Sequence, residues 1–375
     1  MSDTATSMSD AVVEGGIEDL DEAREVIPYD FEITSYGADY DVDGLVKRLD
    51  RGDIVVPTFD PEVERTESGI VGFQRRYVWS KPQADRFIES LLLGLPVPGI
   101  FLVKEPSGIH LVLDGQQRLR TLGAFYEGTL RGKQFRLETV QERFKGLAYK
   151  DLDADDRRRI DDAIIHATIV RQDTPSNDQE SVYLIFERLN TGGTSLQPQE
   201  IRSALYYGRL AALLRVLNED ANWRAVYGKP SERLKDQEMI LRFYAMLYYG
   251  EQYRRPMKVF LNRYMATNRN FERQREDDLR TVFSQAIAMI RTAKGDRVFR
   301  IASAVNAAVV DSVMTGVAKR LLARGKIEDA EALAQAYDEL LQDPQYRDAV
   351  TSSTADEESV ATRLRKAKDA FAIVP

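Results

Sequence analysis

Cysteine is absent from the 375-residue chain, and histidine occurs only twice, as His110 and His166. The lack of cysteine excludes disulfide bonds, cysteine-ligated zinc and a cysteine nucleophile. Both histidines lie in segments that we predict to be strands, and neither has a second candidate ligand at helical spacing. A histidine-based zinc site and a Ser-His-Asp triad are therefore poorly supported.

Long apolar runs are also missing. No stretch of the sequence approaches the roughly 20 apolar residues that a membrane span requires. The N-terminus lacks the basic region followed by an apolar segment that is typical of a secretory signal. Together with the absence of cysteine, this pattern predicts a cytoplasmic protein that has no membrane partner.

Excess charge of one sign is confined to the N-terminus. The formal net charge is −8, and residues 1–30 account for it with nine acidic residues against the single base Arg24. The rest of the chain is balanced, so global charge argues neither for nor against a nucleic-acid partner. Ser, Asp, Thr and Gly dominate the first residues, which predicts an acidic, disordered tail over residues 1–35. Such a tail either solubilises the chain or binds a partner.

Apolar periodicity divides the remaining chain into two parts. Short apolar runs predict strands in the first part, whereas almost every segment after Pro198 has helical spacing. We therefore predict an α+β fold with a mixed domain over residues 36–210 and an all-helical domain over residues 211–375. The predicted strands are 54–57, 99–103, 109–113 and 164–170, and the predicted helices are 80–94, 115–126, 178–189, 210–217, 237–249, 277–292, 298–324 and 327–341.

The segment Asp114–Arg118, with the sequence DGQQR, joins a predicted strand to a predicted helix. A helix start leaves N–H groups unpaired and carries partial positive charge, so this turn is a candidate phosphate site. In this interpretation Gly115 lets an anion approach the backbone, and Arg118 and Arg120 add forked donors. The alternative is structural: Asp114 caps the helix, and the arginines form surface ion pairs.

Aromatic and basic residues alternate in residues 72–79, which read GFQRRYVW. Such a segment can stack a base on its rings while Arg75 and Arg76 bind phosphate. Alternatively, the rings are core residues and the arginines are their solvated neighbours.

A glycine-rich turn follows the predicted helix 178–189. Glu187 and Asn190, which lie at this helix end, are candidates to coordinate a divalent ion that holds phosphates. The alternative is an ordinary turn between two helices, with Asn190 as a C-cap.

In their order along the chain, these segments resemble domain-of-unknown-function family 262, also called the GmrSD N-terminal domain family. The resemblance covers roughly residues 40–210. It implies a fold similar to ParB and sulfiredoxin, in which an acidic/Gly-x-x-Arg turn at a helix start holds nucleotide phosphates. The segments that carry the resemblance are Phe73–Trp79, Phe87–Pro98, Leu113–Arg118 and Phe186–Gly193.

The resemblance also implies a role in anti-phage defence. Members of the family act as nucleotide-hydrolysing parts of restriction systems that recognise modified DNA, and they often carry a C-terminal His-Asn-His nuclease domain. The two histidines of this chain lie in the wrong contexts for such a domain, and sulfiredoxin chemistry needs a cysteine. We therefore expect the nuclease to be a separate effector protein, encoded by a neighbouring gene.

The favoured hypothesis is a nucleotide-dependent switch or nucleoside triphosphatase that uses GTP, ATP or CTP with Mg²⁺. The alternative is a non-enzymatic, antitoxin-like adaptor that binds DNA or a partner protein through a degenerate ParB-like site. DNA nicking by that site is a third hypothesis, and the identity of the nucleotide and self-association stay open. The expected roles are phosphate binding by Gly115, Arg118, Arg120, Arg75, Arg76 and Asn190, water positioning by Gln116 or Gln117, orientation of the loop or a metal by Asp114, and Mg²⁺ coordination by Glu187 and Asn190.

Overall fold

The structure, a computed structural model, describes residues 17–18, 32–56, 77, 79–105, 107–174, 180–189 and 197–375. It divides into two compact units. The α+β unit comprises residues 28–213 and 265–273, and the helical unit comprises residues 1–27, 214–264 and 274–375. The predicted α+β class with a helical C-terminal region is confirmed.

The α+β unit contains a five-stranded mixed sheet in the order β2-β8-β4-β5-β3. Strand β8 pairs antiparallel with β2 and parallel with β4, β4 pairs antiparallel with β5, and β5 pairs parallel with β3. Its strands are β2 Glu32–Asp41, β3 Ile54–Val55, β4 Ile100–Lys104, β5 His110–Asp114 and β8 Ile164–Thr174, with β6 Thr129–Leu130 and β7 Lys133–Gln134 in a separate hairpin. Its helices are α1 Val42–Asp50, α2 Lys81–Leu92, α3 Gln116–Glu127, α4 Ala154–Asp161, α5 Glu180–Leu189 and α6 Pro198–Leu205.

Helix α3 is packed into the core of the α+β unit by one apolar face. Leu119, Leu122 and Phe125 recur at helical spacing and are completely buried. They belong to one core cluster with Ile100 of β4 and Val112 of β5. The chain therefore holds the start of α3 rigidly at the end of strand β5.

Several predicted elements of this unit are confirmed at their ends. The predicted helix 80–94 corresponds to α2, before which the backbone N–H of Ser80 donates to Gln83 Oε1 at 2.8 Å as one half of a capping box. Gly128 ends α3 in the left-handed conformation that glycine favours, with φ of 83°. The predicted strands 99–103 and 109–113 are present as the antiparallel pair β4–β5.

The helical unit contains the short parallel pair of β1 with β9 and a set of packed helices. Helix α12 is the most buried of the long helices, with buried residues on all sides. The elements are β1 Ile17–Glu18, α8 Ala221–Tyr227, α9 Lys235–Tyr249, α11 Glu276–Lys294, β9 Val305–Asn306, α12 Ala307–Arg324, α13 Ala330–Gln342, α14 Pro344–Thr351 and α15 Glu357–Ala372, while α7 Arg209–Asn218 and α10 Met257–Thr267 cross the boundaries between the units.

The predicted continuous helix over residues 298–324 is wrong in its first third. Helix α12 begins only at Ala307, because Asn306 acts as its N-cap and accepts a hydrogen bond from the Val309 N–H at 3.0 Å. Residues Val305–Asn306 form strand β9 instead.

The predicted tail, residues 1–35, lies mostly outside the described residues. Two of its parts are ordered: Ile17–Glu18 pairs with Val305–Asn306, and strand β2 begins at Glu32. Residues 32–35 of the predicted tail therefore belong to strand β2, which pairs with β8. Among the helices in the described parts of the chain, none is both long enough and apolar enough to cross a membrane.

Candidate functional site at the strand β5 to helix α3 turn

The DGQQR segment forms a sharp turn between strand β5 and helix α3. Asp114 is the last residue of β5, and Gly115 occupies the N-cap position with a left-handed φ of 96°. The first helical hydrogen bond runs from the Leu119 N–H to the Gly115 carbonyl at 3.0 Å. No side chain of the described residues caps this helix. The start of α3 therefore combines helical N–H groups and partial positive charge, the features that attract an anion.

The role proposed for Gly115 requires a correction. A Cβ at this position would lie only 2.4 Å from Ile100 Cγ2, so the side of the glycine where a side chain would stand is filled by protein. The glycine is required by the left-handed backbone and by the close approach of Ile100. Room for an anion is not what the missing side chain provides.

The Asp114 carboxylate does not cap the helix, because it faces Arg118. Arg118 Nη2 donates to Asp114 Oδ2 at 2.7 Å and to the Gly99 carbonyl at 2.8 Å. The Arg118 side chain is only 15% exposed, whereas that of Asp114 is 56% exposed. Within the described residues the buried Arg118 Nε has no hydrogen-bond partner. Arg118 thus links the turn to the start of strand β4, and its Nε–H can still donate a hydrogen bond.

The two glutamines of the turn have different surroundings. Gln117 Oε1 lies 3.4 Å from the backbone N–H of Trp79, which donates to it. Gln116 Oε1 is buried and lacks a hydrogen-bond partner among the described residues. Because a buried acceptor without a partner is costly, Gln116 is the better candidate to contact a ligand or a water. Arg120 is half-buried on the same helix.

Tyr77 and Trp79, the two described residues of the aromatic–basic segment, contact the same helix. The Tyr77 hydroxyl is 2.8 Å from Thr121 Oγ1, and burial raises the pKa of Tyr77 above its usual value. The Trp79 ring packs edge-on against Phe87 with centroids 5.5 Å apart, so both rings serve as packing groups. Arg75 and Arg76 lie outside the described residues.

The third segment is only partly described. Helix α5 packs against strands β5 and β8, and Phe186 is completely buried. Glu187 is half-buried, and Asn190 lies outside the described residues together with the glycine-rich turn. The predicted coordination of Mg²⁺ by Glu187 and Asn190 therefore stays a prediction.

The described ranges contain no cluster of potential metal ligands. No group of three or more His, Asp or Glu side chains there is arranged to hold a metal ion.

The two histidines lie in strands β5 and β8, as predicted. His166 Nδ1 is 2.8 Å from Asp39 Oδ1 on the exposed strand β2, and burial lowers the pKa of His110.

Sequence reasoning missed two residues that organise this site. Arg131, in the β6–β7 hairpin, donates to the carbonyls of Tyr77 and Trp79 at 2.5 and 3.1 Å. Thr121 is completely buried on α3 and bonds to Tyr77. The Leu-Arg-Gly-Lys sequence around Arg131 signals a tight hairpin, but it gives no sign of which segment the arginine contacts.

This part of the chain is an α+β domain. Its strand β5 leads through a Gly-x-x-Arg turn into helix α3, which has no side-chain cap among the described residues and is anchored in the core. Residues 63–207 match the family model of the GmrSD restriction endonuclease N-terminal domain. The chain therefore contains a domain of this family, and the family prediction is confirmed. The match indicates a component of a restriction-type or defence system. A comparison with curated proteins found no match.

Proposed function

We propose that this chain binds a nucleoside triphosphate at the Asp114–Arg118 turn and hydrolyses it as the nucleotide-dependent part of a bacterial anti-phage or restriction-type system. The observation that carries the proposal is the uncapped start of α3, with its N–H groups beside a partly satisfied guanidinium. Helix starts of this kind are suited to phosphate, and Arg118 adds a full charge. A separate effector nuclease completes the proposed system.

The residues of the turn divide into binding and chemical roles. The phosphates contact the first-turn N–H groups and Arg118, which exchanges part of its contact with Asp114 for a phosphate oxygen. Asp114, the more exposed partner of that ion pair, then orients Mg²⁺. Gln116 positions the attacking water through its buried amide oxygen. Arg75, Arg76, Arg120, Glu187 and Asn190 are proposed to assist with the phosphates and Mg²⁺.

Binding and hydrolysis are tested separately. Calorimetry with GTP, ATP and CTP in the presence of Mg²⁺ is expected to give binding of at least one nucleotide, and a phosphate-release assay is expected to give turnover. Arg118→Ala should weaken binding by about tenfold or more, because a charge-assisted donor is lost. Asp114→Asn should retain binding but lose hydrolysis, because it removes the proposed metal contact.

Two controls keep the result interpretable. Arg118→Lys retains the charge but removes the Nη2 group that donates to both Gly99 and Asp114, so thermal unfolding of both Arg118 variants shows whether the turn itself is damaged. Arg143→Ala removes an exposed arginine that lies over the Phe144 ring, and it should bind like the wild type. If the wild-type protein binds none of the three nucleotides, the proposal is wrong.

A second function, a non-enzymatic adaptor for a partner protein or DNA, is favoured by one observation. Arg118 is already engaged by Asp114 and the Gly99 carbonyl, as in a purely structural brace. A pull-down with the product of the neighbouring gene distinguishes the two functions. A stable complex that is insensitive to Arg118→Ala favours the adaptor, and nicking of a supercoiled plasmid with Mg²⁺ would instead support DNA cleavage.

A further inference from the structure

Arg131 has a backbone conformation that arginine rarely adopts. It has a φ of 51° and is followed by Gly132 with a φ of 71°, in the two-residue turn between β6 and β7. Positive φ at both positions is the signature of a type I′ hairpin turn, which favours Asn, Asp or Gly at the first position. An arginine at this position adopts an unfavourable backbone conformation, so we expect its side chain to make contacts that compensate for the strain.

The Arg131 side chain binds one specific segment. Its guanidinium donates to the carbonyls of Tyr77 and Trp79 and lies 5.2 Å from the centre of the Tyr77 ring. One exposed cation thus holds two alternate carbonyls and an aromatic ring at once. Both carbonyls accept from Nη2, and the shorter, uncharged side chain of asparagine could not reproduce these contacts.

The same segment is attached to the first two turns of α3. Tyr77 bonds to Thr121 through its hydroxyl, and Thr121 Oγ1 in turn donates to the Gln117 carbonyl at 2.7 Å. The backbone N–H of Trp79 donates to the Gln117 side chain. Gln117 belongs to the helix turn proposed to bind phosphate, so the segment directly contacts a residue of the site.

We propose that Arg131 is a positioning residue that fastens Tyr77 and Trp79 to the start of α3 and so sets the geometry of the nucleotide site. This inference rests on the proposed nucleotide binding at the Asp114–Arg118 turn. The fastening therefore keeps Tyr77, Trp79 and the Gln117 side chain in one arrangement beside the Asp114–Arg118 turn.

The test uses Arg131→Asn in the full chain, because asparagine suits the left-handed turn. The midpoint of thermal unfolding should stay within about 2 °C of the wild type or rise. Two other readouts should change: the nucleotide Kd should rise about tenfold, and amide exchange in peptides that cover Tyr77 and Trp79 should become faster. A residue with only a structural role would lower the unfolding midpoint instead.

Two more variants complete the experiment. Tyr77→Phe removes only the bond to Thr121 and should shift Kd and exchange in the same direction by a smaller factor. Arg143→Asn removes an exposed arginine that also lies over a ring, Phe144, and should change neither readout.

The outcomes separate this inference from the function on which it rests. If the wild type binds nucleotide and Arg131→Asn binds it within about twofold, the positioning role is wrong and the proposed function stands. Unchanged amide exchange in Arg131→Asn also overturns the inference. If the wild type binds no nucleotide, the proposed function fails, and the exchange measurement alone decides whether Arg131 fastens the segment.

Discussion

At the scale of single residues, Gly115 satisfies two constraints that disfavour any residue with a Cβ. Its φ of 96° is costly for any residue with a Cβ, and the Cβ would overlap Ile100 of strand β4. The ion pair of Arg118 with Asp114 then ties the same turn to the start of β4 through Gly99. The shape of the candidate site therefore depends on packing against strand β4 as much as on the polar groups of the turn.

Gly115→Ala should lower the free energy of unfolding by about 2–4 kcal/mol, because backbone strain and overpacking add. The matched control is Gly123→Ala on the same helix, where a Cβ would meet nothing within 4 Å. That change should instead raise stability by about 0.5–1 kcal/mol. Urea unfolding of both variants measures the difference, and equal effects would contradict the account given for Gly115.

The roles of single residues could be anticipated from the sequence only in part. The residue types and order of the DGQQR turn are local information, and they correctly locate a strand-to-helix turn. The partners of the turn are not local: Ile100, Gly99 and Arg131 reach it through tertiary packing. For this reason the sequence suggested Asp114 as the helix cap, although the structure assigns that position to Gly115.

At the scale of elements, helix α2 is attached to the loop at residues 138–141 by two acidic side chains. Asp85 is completely buried and accepts hydrogen bonds from the N–H groups of Glu138 and Thr139, both at 3.0 Å. It also forms an ion pair with Lys81. Glu89, one turn later, accepts from the Gln141 N–H at 2.6 Å in a more exposed position.

Asp85→Ala should destabilise the protein by about 3–5 kcal/mol, because it removes a completely buried carboxylate on which Lys81 and two backbone N–H groups converge. Glu89→Ala provides the comparison and should cost about 1 kcal/mol or less, because water replaces the lost acceptor. Denaturant unfolding of the two variants gives both values. A similar cost for the two substitutions would show that burial does not decide the strength of these contacts.

Elements with a one-sided apolar pattern were predictable, and those without it were not. Helices α2 and α3 and the β4–β5 hairpin have clear periodicity and the expected end residues. Strand β2 has no such signal, because it lies at the sheet edge with most of its side chains exposed. The start of α12 was misplaced because the capping role of Asn306 depends on strand β9, which pairs with residues far away in the sequence.

At the scale of the whole molecule, the α+β unit is built from two separate stretches of chain. Residues 265–273 join it, and Arg269 anchors them. Arg269 Nε donates to the Tyr207 carbonyl at 2.5 Å, and its guanidinium lies 4.2 Å from the centre of the Tyr207 ring. Arg269 also pairs with Glu105, which is buried at the end of β4. The unit thus extends beyond the family match, which ends at residue 207.

Arg269→Ala should destabilise the α+β unit by about 1–3 kcal/mol, because Glu105 loses its cationic partner in a buried position. Faster amide exchange in strand β4 is the expected local effect. Arg273→Ala, at an exposed position in the same stretch, should lie within about 0.5 kcal/mol of the wild type. If β4 exchanges equally in both variants, residues 265–273 contribute nothing to this unit.

The two-stretch construction has a consequence for how the protein is made. Arg269 lies 164 residues after Glu105 in the chain. At synthesis rates of about 5–20 residues per second, Glu105 therefore waits roughly 8–33 s for its partner. Strand β1 waits longer still, because Ile17 pairs with Val305. A nascent chain that stops before Arg269 or Val305 has been synthesised leaves an incompletely folded unit accessible to chaperones and proteases.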